Sequence, residues 1–344
     1  MRHQSLYRAY RPQAFKEVVG QDEVVQPLLT QIAGKKVGHA YLFAGSRGLG
    51  KTSIARIFAK ELNVHERDVY ELDAASHNGV DEVRSLNDSI YTLPFASEYK
   101  VYILDEAHML SKGAWNALLK TLEEPPQHVI IILATTELEK VPETVRSRCQ
   151  VFTFKKPSRS GLAKLVQDVA KKEGVKIEPA AAELIALLGD GSYRDALSVL
   201  EKALSAGDGK VLSREQTEQA TGAPRHALVH GLAEAVSTGD TGTALKTIHA
   251  AQEGNIDMQL YLMLVLEYFR QILLIRHAPE LQKEIQEELG EDAYKDAKVL
   301  SDAKDSLLTH QALGTFLDAA SRIRFSPVPS LPLELAVLAI SRQD

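Results

Sequence analysis

Residues 40 to 52 read AYLFAGSRGLGKT, an apolar run that leads into the pattern G-x-x-x-x-G-K-[ST]. This is the pattern of a P-loop, in which glycines let backbone N–H groups surround phosphate oxygens at the start of a helix. The lysine would serve the β/γ-phosphates and the hydroxyl residue would ligate Mg²⁺. Residues 53–59 continue with helical spacing. The stretch therefore predicts a strand, a phosphate-binding turn and a helix. The expected nucleotide-binding residues here are Gly45, Gly48, Gly50, Lys51, Thr52 and Ser53.

The composition is that of a soluble globular protein. The 344 residues predict two or three domains, and the net charge of −6 gives no overall basic field for nucleic acid. The single cysteine, Cys149, excludes an intramolecular disulfide and a cysteine-built zinc site, which fits a reducing cytosol. Residues 1–15 lack the apolar core of a secretory signal. The apolar stretch 258–275 is interrupted by charges and predicts a buried helix, not a membrane span.

The first part of the chain alternates strand and helix patterns, which predicts a parallel sheet with crossover helices. The continuous apolar strands indicate a sheet covered on both faces. The predicted strands are 40–44, 69–73, 101–105, 129–135 and 151–154, and the main helices are 52–62, 81–91 and 112–122. After residue 157 no strand signal remains. Residues 160–205 predict three short helices, 206–210 a linker, and the chain from residue 213 onward only helices.

A second motif, VYILDEAH at 101–108, places two adjacent acids at the carboxyl end of a strand, where ligands bind in an open parallel sheet. Asp105 would hold Mg²⁺ through water, as a Walker-B acid does. Glu106 would act as the general base on the attacking water. The alternative is a solvent-exposed acid pair that merely ends a strand, which the upstream P-loop makes the weaker interpretation.

Three further residues complete the hypothesis. Thr136 follows an apolar strand and could orient the water, although threonine is also a common strand residue. Arg148, in the run RSRC, could stabilise transition-state charge in cis or from a neighbouring copy. Arg194, in the run GSYRDAL, could reach the nucleotide from a helical lid. Taken singly, each arginine could be an ordinary solvated side chain.

Together these motifs resemble an AAA+ ATPase, and they closely resemble the gamma/tau family of bacterial DNA polymerase III subunits. The resemblance is strong over residues 1–205 and weaker in the helical remainder. Besides the P-loop and the acid pair, the segments that carry it are YRAYRPQAF (7–15), VVGQ (18–21), HAYLF (39–43), LDAAS (72–76), NALLKTLEEPP (116–126), LATT (133–136) and SRC (147–149).

The resemblance implies an architecture and a set of roles. Residues 1–157 would form the α/β nucleotide-binding module, 158–206 a three-helix lid and 207–344 an all-α collar that oligomerises. Lys51, Thr52 and Asp105 would serve ATP and Mg²⁺, and Glu106 the water. The roles of sensor 1, trans-acting arginine finger and sensor 2 would fall on Thr136, Arg148 and Arg194. Arg11 and Val19 would line the adenine pocket.

The sequence departs from the family at two places. Family members usually carry four zinc-binding cysteines after the P-loop helix, whereas here residues 62–69 bridge that gap with His65 as the one metal-binding candidate. A structural zinc site needs four ligands, so we predict no zinc. The sequence also ends at Asp344. We therefore expect a short form without the extension through which longer relatives contact polymerase and helicase.

The resemblance implies the ATPase motor subunit of a clamp loader that acts in DNA replication in the cytoplasm, within a holoenzyme whose overall activity is that of a DNA-directed DNA polymerase. Its expected partners are delta- and delta-prime-type subunits, further copies of itself, the sliding clamp and primer-template DNA, with no membrane. One alternative is another DNA-directed AAA+ motor of the branch-migration type. A second is a scaffold subunit that binds ATP without hydrolysing it, against which the intact Lys51, Asp105 and Glu106 argue.

Overall fold

The computed structural model describes residues 4–207 and 210–341, and it divides into two compact units. Unit 1 contains Met1–Leu162 and Gly189–Ser198, and unit 2 contains Ala163–Leu188 and Val199–Asp344. The predicted boundaries at residues 157 and 206 give a finer division and stay predictions. Two residues of the predicted linker, 208 and 209, lie outside the described residues.

Unit 1 is built on a five-stranded, all-parallel sheet with the order β2-β3-β4-β1-β5. Its strands are β1 Ala40–Ala44, β2 Val69–Asp73, β3 Lys100–Asp105, β4 Val129–Thr135 and β5 Gln150–Thr153. Its helices are α1 Leu6–Ala9, α2 Asp22–Ala33, α3 Lys51–Glu61, α4 Val80–Ile90, α5 Lys112–Glu123 and α6 Glu143–Arg146. The predicted α/β class with a parallel sheet is confirmed.

The sheet has one apolar core on each face, because successive side chains of a strand point to opposite sides. Phe43 of β1 and Phe58 of α3 belong to the first core, and Leu42 of β1 and Trp115 of α5 belong to the second. All residues of β1 and β4 are buried. This explains why these strands are continuous apolar runs and why their positions could be predicted from sequence.

Two strand boundaries differ from prediction. The third strand starts one residue early, at Lys100, whose buried ammonium group donates to Ser89 O (2.8 Å) and Thr92 Oγ1 (2.7 Å). The fifth strand covers 150–153 instead of 151–154, since its register on β1 begins with Gln150 opposite Tyr41. Both shifts follow from pairing with a neighbouring strand, which the apolar pattern alone does not report.

The segment that replaces the zinc-binding cysteines is held by one buried carboxylate. Asp68 accepts backbone N–H groups from Phe95 (2.5 Å), Ala96 (2.9 Å) and Ser97 (3.0 Å). Burial would raise the pKa of Asp68, but these donors outweigh it and lower the pKa below its usual value. Within residues 4–207 and 210–341, no group of three or more His, Cys, Asp or Glu side chains could hold a metal ion.

Over its described residues, unit 2 is helical apart from one small sheet, and a large cluster of buried apolar side chains extends from Leu184 to Ile340. Its helices are α7 Arg159–Lys172 (beginning in unit 1), α8 Pro179–Leu188, α9 Tyr193–Ala206 (also beginning in unit 1), α10 Arg214–Thr221, α11 His226–Thr238, α12 Thr241–Glu253, α13 Met258–His277, α14 Gln282–Leu289, α15 Glu291–Asp302, α16 His310–Ile323 and α17 Leu331–Ser341. The three predicted helices between residues 160 and 205 are confirmed as α7, α8 and α9.

The prediction that strands end after residue 157 was wrong. Two short parallel strands, β6 Lys176–Ile177 and β7 Val211–Leu212, pair with each other. A two-residue strand is too short to show a period-2 pattern, so sequence reasoning had no signal for it. The long apolar helix α13 passes a length and composition test for a membrane span, but ten of its 20 residues are buried in the core of unit 2.

Candidate nucleotide-binding site

The P-loop follows β1, and its glycines adopt backbone angles that other residues avoid. Gly45, Gly48 and Gly50 have φ values of 151°, 77° and 93°. Lys51 begins α3 and is only 6% exposed, with its ammonium group donating to the carbonyls of Gly45 (2.6 Å) and Ser46 (2.9 Å). Burial lowers the pKa of Lys51, while the nearby carboxylates of the site oppose that shift. The loop is therefore folded around its own lysine.

Gly48 is also fixed by a close neighbour, which gives a stability prediction. A Cβ at Gly48 would lie 1.9 Å from Ser192 Oγ, whereas a Cβ at Gly50 would meet nothing within 4 Å. Both alanine variants should lose ~1–2 kcal/mol of unfolding free energy through left-handed backbone strain. Gly48→Ala should lose about 1 kcal/mol more unfolding free energy, the usual contribution of a helix cap. Its Cβ would displace Ser192 Oγ, which caps α9 by accepting the N–H of Asp195 (3.2 Å).

Chemical denaturation of the two variants beside the parent protein measures this difference. Gly50→Ala serves as the matched control, since it changes the same residue type in the same loop without a steric contact. Equal losses in the two variants would contradict a packing role for Gly48.

The acid pair meets the P-loop helix at the carboxyl end of β3. The Thr52 hydroxyl donates to Asp105 Oδ2 over 2.8 Å. The next residue, Glu106, has left-handed backbone angles (φ 47°, ψ 42°), and its N–H donates to Asp105 Oδ1 over 3.0 Å. A residue other than glycine in this conformation is strained, and such strain collects at functional sites. The turn separates the two carboxylates, so that each faces different neighbours.

Glu106 is held by a small polar network. The Thr136 hydroxyl donates to Glu106 Oε2 over 3.1 Å, from the end of β4, which lies between β1 and β3 in the sheet. His108 has a side chain that is 7% exposed, with Nδ1 3.5 Å from Glu106 Oε2 and 3.2 Å from Thr135 Oγ1. Its Nε2 lies 3.3 Å from Glu137 Oε1. The sequence pattern assigns His108 no role, because it does not report which strands are neighbours.

The residues predicted for the adenine pocket and for sensor 2 all lie in unit 1. The Tyr193 hydroxyl donates to the Val19 carbonyl over 2.6 Å. The guanidinium of Arg194 lies 5.9 Å from the ring centre of Tyr7. Burial, and then repulsion from Arg56 and Arg194, lowers the pKa of Arg11. These positive groups would suit the phosphates of a nucleotide.

Arg148 is placed differently from the other candidates. Its guanidinium donates to Glu123 Oε1 and to the Thr144 carbonyl, both over 2.6 Å. None of the hydrogen bonds or ion pairs found for it among the described residues reaches Lys51 or Glu106. The next residue, Cys149, packs against the second core of the sheet, and burial raises the pKa of its thiol to about 12.

The donor set fits Mg²⁺ and a triphosphate. The Thr52 hydroxyl and the Asp105 carboxylate supply adjacent oxygen ligands, which Mg²⁺ prefers together with water and phosphate oxygens. Ser53 lies in the first turn of α3, where helix N–H groups face the phosphate position. Lys51 lies in the same turn and would supply the positive charge.

The parallel sheet, the P-loop and the acid pair with its threonine define a P-loop ATPase of the AAA+ class. A structural relative, the Thermotoga maritima RuvB Holliday junction branch migration motor, has a TM-score of 0.55 and 19% identity, covering 89% of this chain and 97% of that one. At this identity the likeness shows the fold alone. The sequence relatives identify the family to which the chain belongs. The chain belongs to the gamma/tau family of bacterial DNA polymerase III clamp-loader subunits.

Family models and named relatives both support this assignment. The matching models are "DNA polymerase III, delta subunit" (residues 20–77 and 67–158), "DNA polymerase III clamp loader subunit, ATPase lid domain" (162–209) and "DNA polymerase III subunits gamma and tau domain III" (212–343). DNA polymerase III subunit gamma of Buchnera aphidicola is 32% identical over 98% of both chains. Subunit tau of Bacillus subtilis is 37% identical over 99% of this chain and 63% of its own length, so the chain spans less than two thirds of that relative.

Proposed function

We propose that this chain is the ATP-hydrolysing motor subunit of a loader that places a sliding clamp on primed DNA. The observation that carries the proposal is the contact of the Thr52 hydroxyl with the Asp105 carboxylate beside a buried Lys51, in a chain that matches a gamma subunit end to end. The proposed activity is ATP hydrolysis. Polymerisation of DNA is not assigned to this subunit, and its place of action would be the cytoplasm.

The mechanism assigns a role to each side chain of the site. Bound ATP supplies the γ-phosphoryl group that is transferred to water. Lys51 would hold the phosphates, and Thr52 and Asp105 would hold Mg²⁺. The Glu106 carboxylate would accept a proton from the attacking water while Thr136 and His108 keep that carboxylate in place. Arg194 would contact the phosphates from the same protomer, and Arg11 and Val19 would line the base pocket.

The proposed partners are delta- and delta-prime-type subunits, further copies of this chain, the clamp and primer-template DNA. ATP can favour an open, clamp-holding spiral only to the extent that it binds that state more tightly. Unit 2 has exposed apolar side chains on α16 and α17, including Leu317, Leu335 and Leu338, which fits a role as an oligomerising collar. With a net charge of −6, the chain alone should bind DNA weakly and less well at higher salt.

The experiment combines the chain with its native partner subunits and measures ATP turnover with and without clamp and primer-template DNA. We expect both additions to raise turnover, and we expect the clamp to be retained by the parent chain in ATP but not by Lys51→Ala. A four-way DNA junction is the matched control substrate. If turnover rises with the junction and does not change when the clamp is added, the result would favour the branch-migration alternative and contradict the proposal.

A further inference from the structure

A charged pair joins the proposed arginine finger to the LLKTLEEPP segment. Arg148 Nη2 lies 2.6 Å from Glu123 Oε1, and Arg148 Nη1 donates to the Thr144 carbonyl over 2.6 Å and more weakly to Ser147 Oγ over 3.4 Å. The two charged side chains are 35% and 50% exposed. A surface ion pair of this kind contributes little to folding stability, so stability alone does not explain it.

Both ends of the pair are fixed by the core. Glu123 is the last residue of α5 and follows Leu122, which is 1% exposed. Arg148 comes two residues after the end of α6, whose Val145 is fully buried in the same core cluster as Leu122. The helices α5 and α6 pack against each other. Glu123 therefore ends a packed helix, and Arg148 lies in a turn directly after a second helix that packs against the first.

A guanidinium has five N–H donors in a rigid plane, and the three contacts of Arg148 leave donors for an anion. An exposed arginine otherwise samples many rotamers, and ordering it at the moment of reaction slows that reaction. A carboxylate and a carbonyl that hold both terminal nitrogens restrict these rotamers in advance.

We propose that Glu123 is a positioning residue that orients the Arg148 guanidinium for the nucleotide of a neighbouring copy. This inference rests on the proposed function, in which Arg148 acts in trans. Glu123 does not touch the nucleotide of its own protomer in this assignment. It acts through Arg148, so its removal should affect turnover and not ATP binding.

The test is Glu123→Gln in the assembled loader, with primer-template DNA and clamp present. We expect kcat to fall about 10- to 100-fold, the scale of a small misplacement of a catalytic group, with KM for ATP unchanged. Glu123→Asp, which keeps the charge, should recover part of the rate. Glu124→Gln is the matched control, since Glu124 is the exposed next residue, has no hydrogen bond or ion pair to Arg148 and should keep parent turnover.

A second comparison separates this inference from the proposed function. In an Arg148→Ala background, Glu123→Gln should cause no further loss, because its effect passes through the arginine. A further loss there, an unchanged rate in the single variant, or a faster rate from a released arginine would each overturn the positioning role. If Arg148→Ala itself keeps the DNA-stimulated turnover, the assignment of Arg148 as a trans-acting finger fails. That result is distinct from a failure of the positioning role of Glu123 alone.

Discussion

Replacing Arg148 with alanine is expected to leave ATP binding unchanged and to remove DNA-stimulated hydrolysis. An arginine that stabilises transition-state charge at a phosphoryl group contributes ~10³–10⁵ in rate. In the protomer the Arg148 side chain contacts Glu123 of α5 and Thr144 of α6. Among the described residues, none of its hydrogen bonds reaches the phosphate site. We therefore expect the slow turnover of an isolated protomer to be nearly the same in the variant. The measurement is steady-state ATPase activity with and without primer-template DNA, beside ATP binding by titration.

Subunit mixing provides the control for action in trans. A copy with Arg148→Ala has an intact P-loop, and a copy with Lys51→Ala has an intact arginine. Mixed loaders should regain turnover at interfaces where the second copy faces the nucleotide of the first. Arg148→Lys keeps the charge but loses the planar fork, so it should recover little. Mixed loaders that stay inactive, or a protomer whose basal rate falls as steeply as the stimulated rate, would contradict the trans assignment.

Replacing Glu106 with glutamine should lower turnover by ~10²–10⁴, the usual contribution of a positioned general base. ATP binding should be retained, because the P-loop lysine and the Thr52–Asp105 contact are untouched. The amide keeps the shape of the side chain and can still accept a hydrogen bond from Thr136. Single-turnover hydrolysis and nucleotide binding measured on the same preparation separate the chemical step from binding.

The matched control for this variant is Glu139→Gln. Glu139 is an exposed acid in the turn after β4, close in sequence to Thr136 but outside the polar network of Glu106. We expect the Glu139→Gln variant to hydrolyse ATP at the rate of the parent chain. If Glu106→Gln hydrolysed ATP as fast as the parent chain, the general-base role would be wrong. An ATP-binding scaffold without turnover of its own would then become the better interpretation.

Much of the fold could be predicted because it depends on local patterns. Buried parallel strands are apolar runs, and β1 and β4 lie where the runs predicted them. The P-loop could be found because glycine, lysine and hydroxyl residues must occur at fixed spacing around phosphate. The short pairing of β6 with β7 could not be found, because two residues carry no periodicity.

The site was only partly predictable, because its polar network depends on strand order. Thr136 can reach Glu106 because β4 lies between β1 and β3 in the sheet. No sequence pattern gives that strand order. His108 lies inside a recognised motif, yet its contacts to Thr135 and Glu137 depend on the same order. The pairing of Arg148 with Glu123 joins residues 25 apart in sequence, one at the end of α5 and the other in the turn after α6. Such contacts follow from tertiary packing and leave no periodic signal.

The buried ammonium group of Lys51 changes how a routine substitution should be interpreted. Because it donates to the carbonyls of Gly45 and Ser46, it also supports the conformation of the loop. Its loss would leave these two carbonyl oxygens without their donor and would let the loop relax. A Lys51 variant therefore changes the conformation of the loop as well as its charge. Weak binding by such a variant measures both effects together, and a neutral donor of similar length at this position would separate them.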